Sequence, residues 1–478
     1  MAHARMAPAQ TQSPNRPHRG NDRIPRRKPV QTAAAFASDP PALAKPTGRQ
    51  TATAAMASLF GWGLDLFDLF ILLYVAPVVG TLFFPADKPM LSLAGAYASF
   101  AVTLLIRPLG SALFGSYADR FGRRRALMVA VVGVGLSTAV FGLLPTVGQI
   151  GWLATAIFLF FRLVQGIFVG GVVAASHTIG TESVPERWRG LMSGAVGGGG
   201  SAIGGLLASL VFYVVSLMAP GEAFAEWGWR LMFFSGLLTS VIGLILFRNL
   251  EESPIFKNLQ ARKAALRAGA PAEASPIRSL FSPSNRGSFA VATLISFGGG
   301  AAYYLTSGYL PTLLKLVNGV PNATASMILI GANVAAAIGA CGVGELSQHI
   351  GRKRSFLLMG VIRLFAFPAL FLTMANTTSL VGVAACAFLL ALIANASYGP
   401  LLIFLNEKFP TAVRATGTGL TWNIGFALGG MLPTLVSLVA DGPTQIPMVL
   451  AVVMTGVTLV YLVGAFLTDE TQGNLDRA

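Results

Sequence analysis

Four charged side chains fall inside long apolar stretches of this sequence, where a charge is costly and is usually kept for a function. They are Asp65, Asp68, Arg107 and Arg162, and their formal charges cancel. Asp65 and Asp68 are three residues apart, so on a helix both carboxylates project from one face. Two close carboxylates in a low-dielectric environment do not both ionise readily, and a group that gains or loses a proton near neutral pH is what proton coupling requires. We expect Asp68, Asp65 and Arg162 to serve proton coupling; the alternative is a static buried Asp–Arg pair that joins two helices.

The stretches that hold these charges have the composition of membrane-spanning helices. The 478-residue chain is 54% hydrophobic and 11% charged, which is too apolar for a soluble globular protein of this length. About 20 apolar residues cross a bilayer, and the sequence contains twelve such runs. They lie near 52–75, 95–117, 126–146, 152–176, 190–217, 229–248, 288–314, 324–346, 355–375, 379–404, 413–440 and 445–468.

Two motifs occur twice, about 225 residues apart. The first motif is Glu182, Pro185, Arg189 and Gly194, repeated at the same spacing by Glu407, Pro410, Arg414 and Gly419. The second runs from Gly115 to Arg125 and is echoed from Gly344 to Arg354. Duplicated hydrophobic halves are typical of transporters that bind substrate between the repeats. The predicted fold is an all-α membrane protein with twelve transmembrane helices in two pseudo-symmetric six-helix bundles around a central cavity.

Lys and Arg are concentrated in the first 50 residues and in alternate loops, which predicts that both termini are cytoplasmic. The predicted division is a disordered basic cytoplasmic tail at 1–50, a six-helix bundle at 51–248, a cytoplasmic linker at 249–286, a second bundle at 287–468 and a cytoplasmic tail at 469–478. The net charge of +15 follows from this topology, so we expect no nucleic-acid partner.

Several strings, taken with the repeated motifs, resemble a known family. They are Asp65-Leu66-Phe67-Asp68, Arg107-Pro108-Leu109-Gly110, Arg162-Leu163-Val164-Gln165-Gly166, Trp227-Gly228-Trp229-Arg230 and Gly308-Tyr309-Leu310-Pro311. Their order and spacing resemble the major facilitator superfamily and, within it, the bacterial metabolite:proton symporter branch. Ser201 stands where the exporter signature of the superfamily has proline, which favours uptake over drug export.

The resemblance implies a set of residues that close the cytoplasmic side and do not touch substrate. In this gate, loop arginines pair with Glu182 or Glu407, and an aspartate accepts hydrogen bonds from a helix N-terminus. The alternative is generic anchoring at the lipid headgroups. The expected gate residues are Asp119, Arg123, Glu182, Arg189, Glu407 and Arg414.

Substrate contacts are expected from polar and aromatic residues at mid-span depth. Arg107 is the candidate for binding a carboxylate, because a guanidinium gives planar, bidentate recognition. The further candidates are Gln165, Tyr303, Tyr304, Asn395, Tyr398, Trp422 and Asn423. For each aromatic residue, ordinary packing in a helix bundle is the alternative.

These observations predict a proton-coupled symporter of the bacterial inner membrane that imports a small organic anion, a mono- or dicarboxylate. In this hypothesis protonation of Asp68 weakens its pairing with Arg162, substrate neutralises Arg107, and the two halves rock around the filled cavity. A zwitterion of the proline or betaine type, or an aromatic acid, is the alternative substrate, and a membrane sensor without transport is the alternative class. We expect no enzyme activity, cofactor or metal; the expected partners are substrate, protons and membrane lipids, with the protein a monomer.

Overall fold

The computed structural model describes residues 48–121, 123–182, 186–247, 280–410 and 413–474. These ranges are built from helices and connecting turns, without β-strands. Eleven of the helical elements are long and apolar enough to cross a membrane, and Met128–Leu143 adds a shorter apolar helix. The predicted all-α, twelve-helix membrane fold is therefore confirmed.

Several membrane helices consist of consecutive α and π segments, which we group as one element each. The elements are α1 (Gly48–Phe83), α2 (Pro89–Phe121), α3 (Arg123–Leu143), α4 (Leu153–Glu182), α5 (Arg189–Gly194, Ala195–Gly199 and Gly200–Met218), α6 (Phe224–Gly228, Trp229–Phe234 and Gly236–Phe247), α7 (Arg286–Tyr303, Tyr304–Gly308, Leu310–Thr312 and Leu313–Val317), α8 (Asn322–Ile350), α9 (Arg352–Asn376), α10 (Leu380–Tyr398 and Leu401–Lys408), α11 (Arg414–Gly430 and Leu432–Val439) and α12 (Ile446–Leu467).

The elements alternate in direction, so their connections fall at two ends. The basic end holds the turns from α4 to α5, from α8 to α9 and from α10 to α11, together with Lys353 and Lys408. The far end holds the turns around Asp87, Gly221 and Asn318. Packing is most extensive within α1–α6, the first half, and within α7–α12, the second half. The boundaries predicted for the tails and the linker stay predictions, because residues 1–47, 248–279 and 475–478 lie outside the described part.

The two halves touch chiefly through α5 against α8 and through α2 against α11. At the basic end, α5 meets α8 backbone to backbone: a Cβ atom placed on Gly194 would lie 2.2 Å from the carbonyl oxygen of Ala340. The Ser193 hydroxyl there donates to the Gly399 carbonyl at 2.8 Å. Such close approach of helix backbones requires glycine. The described helices of the two halves are therefore in direct contact at the basic end, and we call that end closed in this sense.

The far end is closed as well, by side chains of α2 and α7. The rings of Tyr97 and Tyr309 stack with centroids 4.9 Å apart, and the Tyr97 hydroxyl lies 2.8 Å from the Thr312 hydroxyl. The mid-depth region between the two closures is therefore enclosed by both halves.

Candidate functional site

Asp65 and Asp68 lie on α1 and are almost fully buried, at 2% and 1% exposure. Asp65 faces α2, where the Arg107 Nη2 atom lies 3.6 Å from its Oδ2 atom. Asp68 faces Thr138 of α3 and Thr239 of α6, although neither hydroxyl is in hydrogen-bonding geometry with its carboxylate. The two carboxylates thus share a helix but have different neighbours.

Close packing of α2 against α4 determines the position of Arg107. A Cβ atom on Gly170 would lie 2.2 Å from the Arg107 carbonyl oxygen, so only glycine allows this approach. The Ser111 hydroxyl, one turn further along α2, donates to the Gly170 carbonyl at 2.7 Å. The string Arg107-Pro108-Leu109-Gly110 and the paired glycines of α4 therefore act together to bring the guanidinium to mid-depth.

Arg162 does not form the expected ion pair with Asp68, and that prediction is wrong for this conformation. Its guanidinium lies over the Phe141 ring, with Cζ 4.2 Å from the centroid, and its Nη1 donates to the Gln165 Oε1 atom at 2.8 Å. Gln165 in turn donates to the Thr138 hydroxyl at 2.7 Å. Aromatic faces attract a buried cation, which explains why the guanidinium is held by rings while the charges of Arg162 and Asp68 interact at longer range.

The second half contributes aromatic rings at the same depth. We call Tyr303, Tyr304, Tyr398, Trp422 and Phe426 the aromatic box. Tyr398 and Phe426 are perpendicular at 5.9 Å, Trp422 and Phe426 stack at 4.4 Å, and Tyr303 meets both Tyr304 and Tyr398 edge to face. The π segment that begins at Tyr304 breaks the regular turn of α7 beside the box, a local form often found at functional sites.

Hydroxyl and amide groups adjoin the box. The Asn395 Oδ1 atom accepts hydrogen bonds from the Tyr398 hydroxyl at 2.7 Å and from the Ser201 hydroxyl of α5 at 3.3 Å. The Asn395 Nδ2 atom donates to Ser307 at 3.3 Å. Asn423 differs, because its side-chain amide donates to the Gly419 carbonyl of its own helix. Asn395 therefore belongs to a network that joins the halves, whereas the amide bond of Asn423 stays within α11.

One residue connects the charges of the first half to the rings of the second. Tyr304 lies close enough to Asp65 and Arg107 for their charges to act on its hydroxyl, and its ring also meets Phe100 of α2 at 5.2 Å. Tyr304 therefore links the charged pair of the first half to the aromatic rings of the second half.

The expected gate residues lie at the basic end where the structure describes them. Glu407 forms a buried ion pair with Arg352, at 3.1 Å between Oε2 and Nε. Arg189 begins α5, and the Arg414 Nε atom donates to the Phe409 carbonyl at 3.4 Å. The side chains of Asp119, Arg123 and Glu182 lie outside the described residues. The role of all six as a gate stays a prediction.

Several residues of this arrangement were not singled out from the sequence. Arg352 is part of the repeated loop motif, and that repeat was a usable signal. Phe426 carries no such signal, because an aromatic residue in an apolar run is ordinary. Ser201 was noted from the sequence for replacing a proline of the exporter signature, but not as a neighbour of the box. The Glu470 carboxylate, which accepts from the backbone N–H groups of Arg352 at 2.8 Å and Lys353 at 3.2 Å, lies far from them in sequence.

The chain resembles known proteins both in sequence and in structure. The family model of the Major Facilitator Superfamily matches residues 51–434. A proline/betaine transporter of Salmonella typhimurium is 32% identical over 426 residues, which cover 85% of this chain and 83% of that protein. A glycine betaine/proline/ectoine/pipecolic acid transporter of Dickeya dadantii is 29% identical over 432 residues, covering 89% and 85%.

Among solved structures, a D-xylose–proton symporter superposes with a TM-score of 0.68. The alignment covers 88% of this chain and 98% of that protein, at 19% sequence identity. A likeness at this identity concerns the fold, and it agrees with the twelve-helix arrangement described above.

Proposed function

Because the chain belongs to the major facilitator superfamily and is a multi-pass membrane transporter, we propose that it imports a small zwitterion of the proline or betaine type together with protons. The observation that carries this proposal is that Tyr304 belongs to the aromatic box, meets Phe100 of α2 and lies within reach of the charges of Asp65 and Arg107. A zwitterion has a carboxylate for Arg107 and an ammonium for the aromatic box.

The two groups of such a substrate match the two sides chemically. Arg107 offers a planar fork of donors for the carboxylate, and its present partner Asp65, at 3.6 Å, is held too loosely to satisfy it. The faces of Tyr and Trp rings carry negative potential that attracts a quaternary or secondary ammonium. The substrate carboxylate would displace Asp65 from Arg107, and the box would hold the ammonium.

This match favours the zwitterion over the organic anion that the sequence first suggested. A dicarboxylate would place its second negative charge against the negative ring faces, which is unfavourable. The relatives named as proline/betaine transporters support the same choice. A substrate with a single carboxylate remains compatible with Arg107. The organic-anion hypothesis therefore requires a monocarboxylate that places apolar groups against the aromatic box.

Proton coupling is assigned to Asp68, with Asp65 and Arg162 as its charged neighbours. Among the described residues, no group in hydrogen-bonding geometry reaches the two buried Asp68 oxygens, and a buried carboxylate without a fixed partner is a group that can bind and release a proton. Release of that proton would strengthen the attraction to Arg162 and draw it from the Phe141 ring. This rearrangement inside the first half would couple protonation to rocking of the halves.

The orientation and location form part of the proposal. The basic end would face the cytoplasm, since Lys and Arg collect on that side of membrane proteins, and the relatives of this chain are bacterial. We therefore place the protein in the inner membrane, with the far end towards the periplasm and a single chain as the working unit.

Uptake by purified protein in proteoliposomes tests the proposal. Under an imposed inward proton gradient, glycine betaine or proline should accumulate, and succinate should not. Dissipating the gradient with a protonophore should reduce accumulation to equilibration. Accumulation of succinate alone would restore the organic-anion hypothesis, and the absence of saturable uptake of any small molecule would favour a sensor.

A further inference from the structure

Arg363 is a charged side chain of α9 that the transport scheme above does not use. It is fully buried, with 0% exposure, and no acidic group of the described residues lies within 4.0 Å of it. Among the described residues, its Nε and Nη1 atoms have no hydrogen-bond partner. An unpaired charge within a membrane bundle is costly and is usually kept for a function.

The contacts of Arg363 reach two other helices of the second half. Its Nη2 atom donates to the Gly298 carbonyl of α7 at 2.8 Å. Its Cζ atom lies 4.3 Å from the centre of the Tyr461 ring of α12. One guanidinium therefore holds a backbone carbonyl and an aromatic face at once, which its planar shape allows and an ammonium does not.

Tyr461 extends the contact to a third helix. Its hydroxyl donates to the Ser397 carbonyl of α10 at 2.6 Å, and Ser397 directly precedes Tyr398 of the aromatic box. Gly298 lies five residues before Tyr303, at the last regular turns before the π segment of α7. Arg363 and Tyr461 together hold the backbones of both tyrosine-bearing helices of the box.

We propose that Arg363 and Tyr461 are positioning residues for the aromatic box. They fix the spacing of α7 and α10 at the depth where a substrate ammonium would sit, without touching the substrate. This inference rests on the proposed function, because it assigns the box to ammonium binding. On this proposal, burial of the Arg363 guanidinium without an acidic partner is tolerated because the guanidinium fixes the geometry of the ammonium site.

Two conservative variants separate this role from general stability. Tyr461→Phe removes one hydroxyl and keeps the ring, and Arg363→Lys keeps the charge but loses the planar fork. Thr455→Val is the matched control, because the Thr455 hydroxyl of the same helix donates only to its own Ala451 carbonyl at 2.8 Å. The melting temperature of each purified variant reports folding.

We expect the dissociation constant of glycine betaine to rise about fivefold in Tyr461→Phe and about tenfold in Arg363→Lys, since each loses a hydrogen bond that sets the ring spacing. The maximal uptake rate should stay within about twofold of wild type, because the proton-binding first half is unchanged. Hydrogen–deuterium exchange without ligand should be faster in residues 298–308 and 395–401 of both variants, and unchanged in Thr455→Val.

The outcomes distinguish this inference from the proposed function. Wild-type affinity and wild-type exchange in both variants would overturn the positioning role. If wild-type protein binds no zwitterion, the proposed function fails, and the exchange rates of the two segments still decide whether Arg363 and Tyr461 hold them. If Arg363→Lys does not fold, Tyr461→Phe decides alone.

Discussion

The first half of the molecule carries charges at mid-depth, and the second half carries rings and amides. Asp65, Asp68, Arg107 and Arg162 belong to α1, α2 and α4, whereas the aromatic box belongs to α7, α10 and α11. The buried Arg363 of the second half contacts one carbonyl and two aromatic rings, and it faces no acidic partner among the described residues. Duplicated halves of one fold thus hold two different kinds of chemistry.

Repetition of a fold does not repeat the chemistry of its mid-depth residues. The repeated motifs lie at the basic end, where both halves need the same turns. The mid-depth residues differ, and the proposed scheme assigns each half to a different part of the ligand. In the proposed scheme the first half binds the proton and the carboxylate, and the second half binds the ammonium.

The largest effect that tests this division is expected for Asp68→Asn. An amide cannot release a proton, so accumulation of betaine against its gradient should fall at least about 100-fold, as when a proton-transfer group is removed. Exchange of labelled betaine for unlabelled betaine should persist, because the box is intact. Both are measured in proteoliposomes, with Asp441→Asn, an exposed far-end carboxylate, as the control. Full accumulation of betaine by Asp68→Asn would show that another residue carries proton coupling.

A smaller loss is expected for Arg107→Lys. The ammonium gives a point contact in place of a fork, so the dissociation constant of betaine should rise about tenfold, measured by isothermal titration calorimetry. Arg230→Lys serves as the matched control, since Arg230 donates to the Gly142 and Leu144 carbonyls at the far end. Unchanged betaine affinity in Arg107→Lys would show that the substrate carboxylate does not bind in the first half.

The second half is tested by Tyr304→Leu, which removes a ring face. Loss of one cation–π contact should raise the dissociation constant of betaine about fivefold. Tyr304→Phe keeps the face and should stay within about twofold of wild type in the same titration. Equal losses in both variants would show that the hydroxyl, and with it the neighbouring charges, matters more than the ring.

The smallest effect is expected at the basic end, where the halves resemble each other most. Glu407→Gln removes the charge partner of the buried Arg352, so the closed basic end should open more often. Cys341, half-buried on α8 beside Gly194, then reports opening by its alkylation rate, which should rise about threefold.

The background for this measurement is Cys386→Ala, which leaves one native thiol. Glu345→Gln is its control, because among the described residues Glu345 pairs with the exposed His349 of its own helix, at 3.4 Å. A faster rate in both variants would mean that any loss of charge at this end has the same effect.

The fold was predictable from the sequence because hydrophobic length alone identifies membrane helices. The burial of Asp65, Asp68, Arg107 and Arg162 followed from the same pattern. Their pairing did not follow, since the position of Phe141 beneath Arg162 depends on how α3 packs against α4. The box was predictable in part: Tyr303, Tyr304, Tyr398 and Trp422 stood out as polar or large residues, while Phe426 is one of many apolar residues in its helix.

The backbone contact between Gly194 and Ala340 has a practical consequence. At 2.2 Å from the facing carbonyl oxygen, even one added methyl group cannot be accommodated unless α5 and α8 separate at the basic end. Gly194→Ala would then hold α5 and α8 apart and keep the basic end open. The variant would provide a homogeneous sample of the conformation that is open at the basic end. That sample could be used for imaging and for raising binding reagents against this conformation.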